Sequence, residues 1–163
     1  MKKSHIDVGR AGEFLVMSRL SALGYYAVHS DSYSDDIWVK LPDGSLRTIQ
    51  VKTVSEYKKR GPISGHKYMF CCKGTNADFY ALVALDQERI LYCTLQQFSK
   101  KTLRIHCQKF TEQAEHDSLL FCLDVLADNF NLIKRTSRGV LATTHNHGSK
   151  ISRGCTGDWL DAR

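Results

Sequence analysis

The sequence has no uncharged apolar run approaching the ~20 residues that a helical membrane span needs, so such a span is excluded. Behind the basic start, Met1-Lys2-Lys3-Ser4-His5, no apolar segment follows, and the pattern of a signal peptide is missing with it. The expectation is a protein that works inside a cell, in the cytoplasm. Of the six cysteines (Cys71, Cys72, Cys93, Cys107, Cys122, Cys155), none sits in a C-x-x-C pair. Most lie inside apolar stretches such as Ile90-Leu91-Tyr92-Cys93, as buried free thiols do in a reducing compartment. Without zinc-ligand spacing, a structural zinc is not expected. No internal repeat is visible.

What is present is a chain of 163 residues, 42% hydrophobic and 25% charged. That is ordinary globular usage, with length for one domain and one sizeable core. The net charge is +6, which favours polyanionic partners, nucleic acid first among them. Solubility alone would explain the charge equally well; its placement favours the partner. Lys58-Lys59-Arg60 forms one cluster, and Lys134-Arg135 with Arg138, Lys150 and Arg153 forms a basic tail.

Helical spacing of Ala11, Phe14, Leu15 and Leu20 predicts a helix from Arg10 to Leu23, with Gly24 as its cap. Tyr25 to Val28 reads as a short strand. Ser30 to Asp35 is turn chemistry. Strands at about Asp36 to Leu41 and Leu46 to Val54 flank Pro42-Asp43-Gly44-Ser45, a hairpin signal. The basic, Gly-containing stretch from Tyr57 to Lys67 is expected to be a mobile loop. Tyr68 to Cys71, Phe79 to Leu85 and Arg89 to Leu95 suit further strands, and Leu103 to His106 is ambiguous. Leu119, Leu123, Leu126 and Phe130 share one stripe of a helix over about Asp117 to Phe130. The expected architecture is α/β (α+β): a central mixed sheet of about five strands flanked by helices. Its domain is expected to span 1–133, followed by a flexible basic tail over 134–163.

The chemistry concentrates in the hairpin. In Thr48-Ile49-Gln50-Val51-Lys52-Thr53, Ile49 and Val51 share one face while Gln50 and Lys52 share the other. Their amide and ammonium groups thus point the same way about 7 Å apart. Asp36 opens the neighbouring strand, so a carboxylate, an amide oxygen and an ammonium converge. Phosphodiester hydrolysis uses such a set: a hard divalent cation takes oxygen ligands, and a nearby cation stabilises charge developing on phosphorus.

The run Ser34-Asp35-Asp36-Ile37-Trp38-Val39, followed by Gln50-Val51-Lys52, resembles the motif of the PD-(D/E)XK nuclease superfamily. Upstream, Gly9-Arg10-Ala11-Gly12-Glu13-Phe14-Leu15 resembles the first-helix motif of its smaller members, such as archaeal Holliday-junction resolvases and cyanobacterial group I intron homing endonucleases. Ala77 to Leu85 is similar to the strand that follows the active site there. The resemblance covers about residues 7 to 98. It implies a restriction-endonuclease-like fold and a Mg²⁺-dependent endodeoxyribonuclease of homing or site-specific type, with Mn²⁺ as a substitute ion. Asp36, Gln50 and Glu13 would hold the metal and Lys52 would be the catalytic ammonium. The implied setting is a bacterial or phage-infected cell, the partner double-stranded DNA, and the assembly a homodimer or homotetramer, since cutting two strands takes two active sites. Lys58, Lys59, Arg60 and Lys67 would contact phosphates. Asp35 stands where the motif has proline, placing a second carboxylate beside Asp36. Gln50 stands where an acid is usual, removing one negative charge from the site.

Each residue also has a plainer use. Glu13 suits a solvated helix face, Asp36 an Asx cap, and Gln50 with Lys52 a solvent-facing strand pair. The histidines are scattered, and no catalytic base stands out among them. Trp159 suits docking on the core or stacking on a base equally. Two other functions remain open: a structure-selective resolvase of branched DNA, and a catalytically silent nucleic-acid-binding module on the same scaffold.

Overall fold

A computed structural model describes residues 4–30, 35–58, 65–71, 76–97 and 102–137. In chain order the elements are α1 (His5–Ala22), β1 (Tyr26–His29), β2 (Ile37–Lys40), β3 (Leu46–Val54), β4 (Lys67–Cys71), β5 (Phe79–Ala84), β6 (Arg89–Thr94), β7 (Thr102–His106) and α2 (Glu112–Ser137). Five strands form one mixed sheet in the order β1-β2-β3-β5-β6, in which only β3 and β5 run parallel. The expected α+β architecture is present. Among the described residues no helix is long and apolar enough to cross a membrane.

Helix α1 starts before the hydrophobic spacing does, because Ser4 and Asp7 cap it reciprocally. Ser4 Oγ accepts the Asp7 N–H at 3.1 Å, and the Asp7 carboxylate accepts the Ser4 N–H at 3.1 Å. Gly24, at φ +85°, ends it as expected. The buried stripe is Gly12, Val16 and Leu20, not the larger apolar residues around them. Phe14 is 61% exposed. The reason is Gly12: a Cβ built there would lie 2.9 Å from Thr53 Cβ and nearer still to Thr53 Oγ1. Only the hydrogen of a glycine lets the helix backbone settle this close to β3.

The β2–β3 turn closes as its residues dictate. Asp43 Oδ1 accepts the Ser45 N–H at 2.9 Å, and Gly44 supplies φ +82°. Beside it, β5 is pinned to β3 by a reciprocal clasp. Asp78 Oδ2 accepts the Thr48 N–H at 2.7 Å, and the Asp78 N–H donates to Thr48 O at 2.9 Å. All six residues of β5 are buried, with cores on both sides. Phe79, Ala81 and Val83 pack with Ile49, Val51, Val16 and Leu119 on the helical side. Tyr80, Leu82 and Ala84 pack on the other side, against Tyr68, Phe70 and Phe110. On the outer edge of β6, the N–H groups of Ile90, Tyr92 and Thr94 are taken by the side chains of Glu115, Ser118 and Gln97 at 2.9–3.2 Å. These bonds blunt the edge against further pairing.

Three expectations change. Strand β4 leaves the main sheet and pairs with β7 in a two-stranded sheet of its own, which settles the ambiguous Leu103 to His106 as a strand. Lys67, expected in a loop, opens β4 opposite His106. Helix α2 runs from Glu112 to Ser137, longer than expected at both ends, so residues 134–137 of the stretch read as tail are helical. Lys59, Arg60 and the chain after Ser137 lie outside the described residues.

The two glycines of α1 provide a test. Nothing lies within 4 Å of a Cβ built at Gly9, so Gly9→Ala should stabilise the fold by about 0.5–1 kcal/mol through helix propensity. Gly12→Ala should destabilise it by about 1–3 kcal/mol through overpacking. Urea unfolding of both variants checks the opposite signs.

Candidate functional site

The register of the hairpin, Ile37 opposite Ile49, places Asp36 beside Gln50 at the point where β2 begins. The Asp36 N–H donates to Ile49 O at 2.9 Å. Its carboxylate turns back over β3, where Oδ2 accepts the Val51 N–H at 2.7 Å and a bond from the Gln50 amide. Burial raises the Asp36 pKa above the ordinary carboxylate value, and the negative charge of Glu13 adds to it. The Val51 N–H, the Lys52 ammonium and the Gln50 amide pull the other way. Glu13, Gln50 and Lys52 thus all act on Asp36. The four residues singled out in the sequence share one electrostatic neighbourhood.

Glu13 reaches that neighbourhood from the helical side, one residue after the tight contact at Gly12. Its Oε2 accepts from His29 Nε2 at 2.8 Å and from Arg10 Nη1 at 3.2 Å. Arg10 and His29 also touch each other. Neither holder stood out in the sequence. The available signals were the i, i+3 spacing of Arg10 and Glu13 and the pairing of His29 with Ile37, next to Asp36.

Lys52 faces a cleft of about 840 Å³ between the start of α1, the end of β3 and β4, lined also by His5, Val8, Glu56 and Met69. Lys58 and Lys67 are brought side by side by a backbone bridge, Lys58 N–H to Lys67 O at 3.2 Å. Asp35 is buried, and its Oδ2 accepts the indole N–H of Trp38. One of its carboxylate oxygens is thus directed to an aromatic side chain.

The donor chemistry fits a hard divalent cation. Asp36 and Glu13 offer carboxylate oxygens, Gln50 an amide oxygen, and a half-buried carboxylate repelled by another is relieved by a positive ion. Among the described residues no three His, Cys, Asp or Glu side chains gather as a metal-holding group. Two carboxylates and a neutral amide would make up the set, as the glutamine in the motif implies.

No protein-family model matches the chain, and no curated protein is similar to it in sequence. The fold is similar to that of the bacterial homing endonuclease I-Ssp6803I, with a TM-score of 0.61 over 80% of this chain and 99% of that one. Identity over the match is 16%, so the likeness is one of fold.

The raised pKa of Asp36 sets a pH signature. The advantage of the protonated carboxyl is fully present below the ordinary value of 3.8 and is lost as pH rises through the raised one. At pH 7 the ionised group therefore opposes folding. Asp36→Asn should raise the urea midpoint of the metal-free protein at pH 7, and the gain should shrink as the pH approaches 3.8. A gain independent of pH would place the effect elsewhere.

Proposed function

We propose that this chain is a Mg²⁺-dependent DNA endonuclease of the PD-(D/E)XK type, acting as a homing or site-specific enzyme. The observation that carries the reading is the meeting of Asp36 and Gln50 at the head of the hairpin. Lys52 lies on the same face of β3, in a fold similar to that of a homing endonuclease. Asp36, Gln50 and Glu13 would hold the cation, with Mn²⁺ as a substitute. When bound, the ion polarises the phosphoryl group and acidifies water at neutral pH. The ammonium of Lys52 orients the attacking water and stabilises the charge that develops on phosphorus. Arg10 and His29 fix the Glu13 carboxylate, so that it meets the site in one orientation. Lys58 and Lys67, with Lys59 and Arg60 between them in sequence, supply phosphate contacts that give affinity without sequence information. Cutting both strands of a duplex takes two such sites, hence a homodimer or homotetramer.

Plasmid cleavage in Mg²⁺ against EDTA tests the enzyme, and linear duplex against a four-way junction tests the substrate. Lys52→Ala should lower cleavage by about 100- to 1,000-fold while DNA affinity stays within a few-fold, because one phosphate-range charge is a small part of binding. Cleavage at the wild-type rate would overturn the site.

The neutral Gln50 leaves two protein charges for the metal. Gln50→Glu adds a third and should lower the Mg²⁺ concentration for half-saturation, because ligand charge helps set divalent-cation affinity. The rate need not rise, since the new carboxylate also pairs with Lys52 and repels phosphate. Gln50→Ala should move the midpoint upward. Calorimetric and cleavage titrations of the three proteins check this, and an unmoved midpoint in both variants would place residue 50 away from the ion.

A further inference from the structure

Side chains alternate along a strand, and residues opposite each other in register share a face. Trp38 pairs with Val28 on one side and Thr48 on the other, and Lys40 pairs with Tyr26 and Leu46. These residues lie on the face opposite to the buried Ile37, Val39, Ile49 and Val51. That is the face from which Asp36, Gln50 and Lys52 project. The β5–β6 half of this face is covered by β4 and β7. The β1–β3 half leaves Tyr26, Trp38 and Leu46 exposed, Trp38 at 43%.

A scattered exposed aromatic needs no explanation, but Trp38 is held. Its indole N–H donates to Asp35 Oδ2, and Asp35 is only 5% exposed, directly before Asp36 in the chain. Burying a carboxylate is unfavourable unless its bonds compensate it. Here such a group orients the ring of a residue that stays partly exposed. The bond fixes where the ring points without burying it, an arrangement suited to contact with something outside the fold. On the reading proposed above, we infer that Trp38 is a DNA-contacting residue. Clamped by Asp35 on the face that carries Asp36, Gln50 and Lys52, its ring packs on a base step near the phosphate that this site would take. DNA is favoured as the occupant because the face is continuous with that site. Lys40, two residues on in β2, and Lys52, further along β3, share this face with Trp38, and the net charge of +6 attracts a polyanion. Aromatic and apolar side chains that touch bases add affinity by stacking or by wedging between steps.

The test uses the full chain carrying Trp159→Phe, which leaves Trp38 as the sole tryptophan of the two. A 30-base-pair duplex is titrated in EDTA, with fluorescence anisotropy of the labelled duplex reporting binding independently. Duplex should quench Trp38 emission and shield it from acrylamide. With Trp159 restored, Trp38→Ala should weaken binding by roughly 5- to 100-fold, the range seen when a stacking aromatic is truncated, and Trp38→Phe should retain most of it. Asp35→Asn should broaden the indole's motion before DNA is added, read as lower Trp38 anisotropy, and reduce the quench on binding. Duplex that binds while Trp38 emission and accessibility stay unchanged overturns the inference and leaves the endonuclease reading standing. Emission that follows protein concentration and not duplex identifies a second copy of the chain as the occupant, and also overturns it. A duplex that does not bind at all overturns the endonuclease reading and the inference together.

Discussion

At Gly12 the backbone of α1 lies against Thr53 with no room for a methyl group between them. That contact sets the depth at which the helix rides on β3, and Glu13 is the next residue along the chain. A helix lifted by the width of a side chain would carry the Glu13 carboxylate away from Asp36 and loosen Val16 and Leu20 from the core. Thr53 Oγ1 is buried without a hydrogen-bond partner, an unfavourable feature that persists where the two backbones press together. Strand β3 receives the helix on one face, pairs with β2 and β5 at its edges, and presents Gln50 and Lys52 on the other face. The candidate chemistry is therefore assembled around one strand.

The electrostatics follow from this crowding. Two carboxylates from different elements are brought into mutual repulsion, one of them half-buried. The fold answers each separately, with Arg10 and His29 on Glu13 and with a backbone N–H and an amide on Asp36. These bonds are directional, and they leave Asp36 with its pKa still raised. On the proposed reading a cation would relieve this repulsion, and the folded chain without one bears some expense in stability.

Much of this is legible in the sequence. Period-two alternation in β3 placed Gln50 and Lys52 together, and Pro42-Asp43-Gly44-Ser45 placed Asp36 beside them. The limits of β3 emerge as the alternation predicts, Leu46 to Val54. Less accessible was whatever depends on contacts distant in sequence. Hydrophobic spacing put Phe14 on the inner face of α1, where the demand for a glycine against Thr53 instead turns it to water. Strand β4 looks like any other apolar run, and nothing local records that it pairs with β7 and not within the main sheet. The partnership of His29 with Glu13 joins residues sixteen apart, and nothing local to His29 sets it apart from the other histidines. The bond from Trp38 to Asp35 spans only three residues, yet their order in a motif run says nothing of which carboxylate turns inward.

The hairpin and the parallel pairing of β3 with β5 differ in kind. Residues 36 to 52 meet through a short turn, whereas the clasp between Thr48 and Asp78 closes over thirty residues of chain. Local contacts form quickly and distant ones only after loop entropy has been overcome. The motif residues can therefore find each other early, while the depth and burial that give Asp36 its character come with β5 and α1. A chain emerging from the ribosome would carry the complete motif before it carried the site, and the proposed nuclease activity would be a property of the last stage of folding alone.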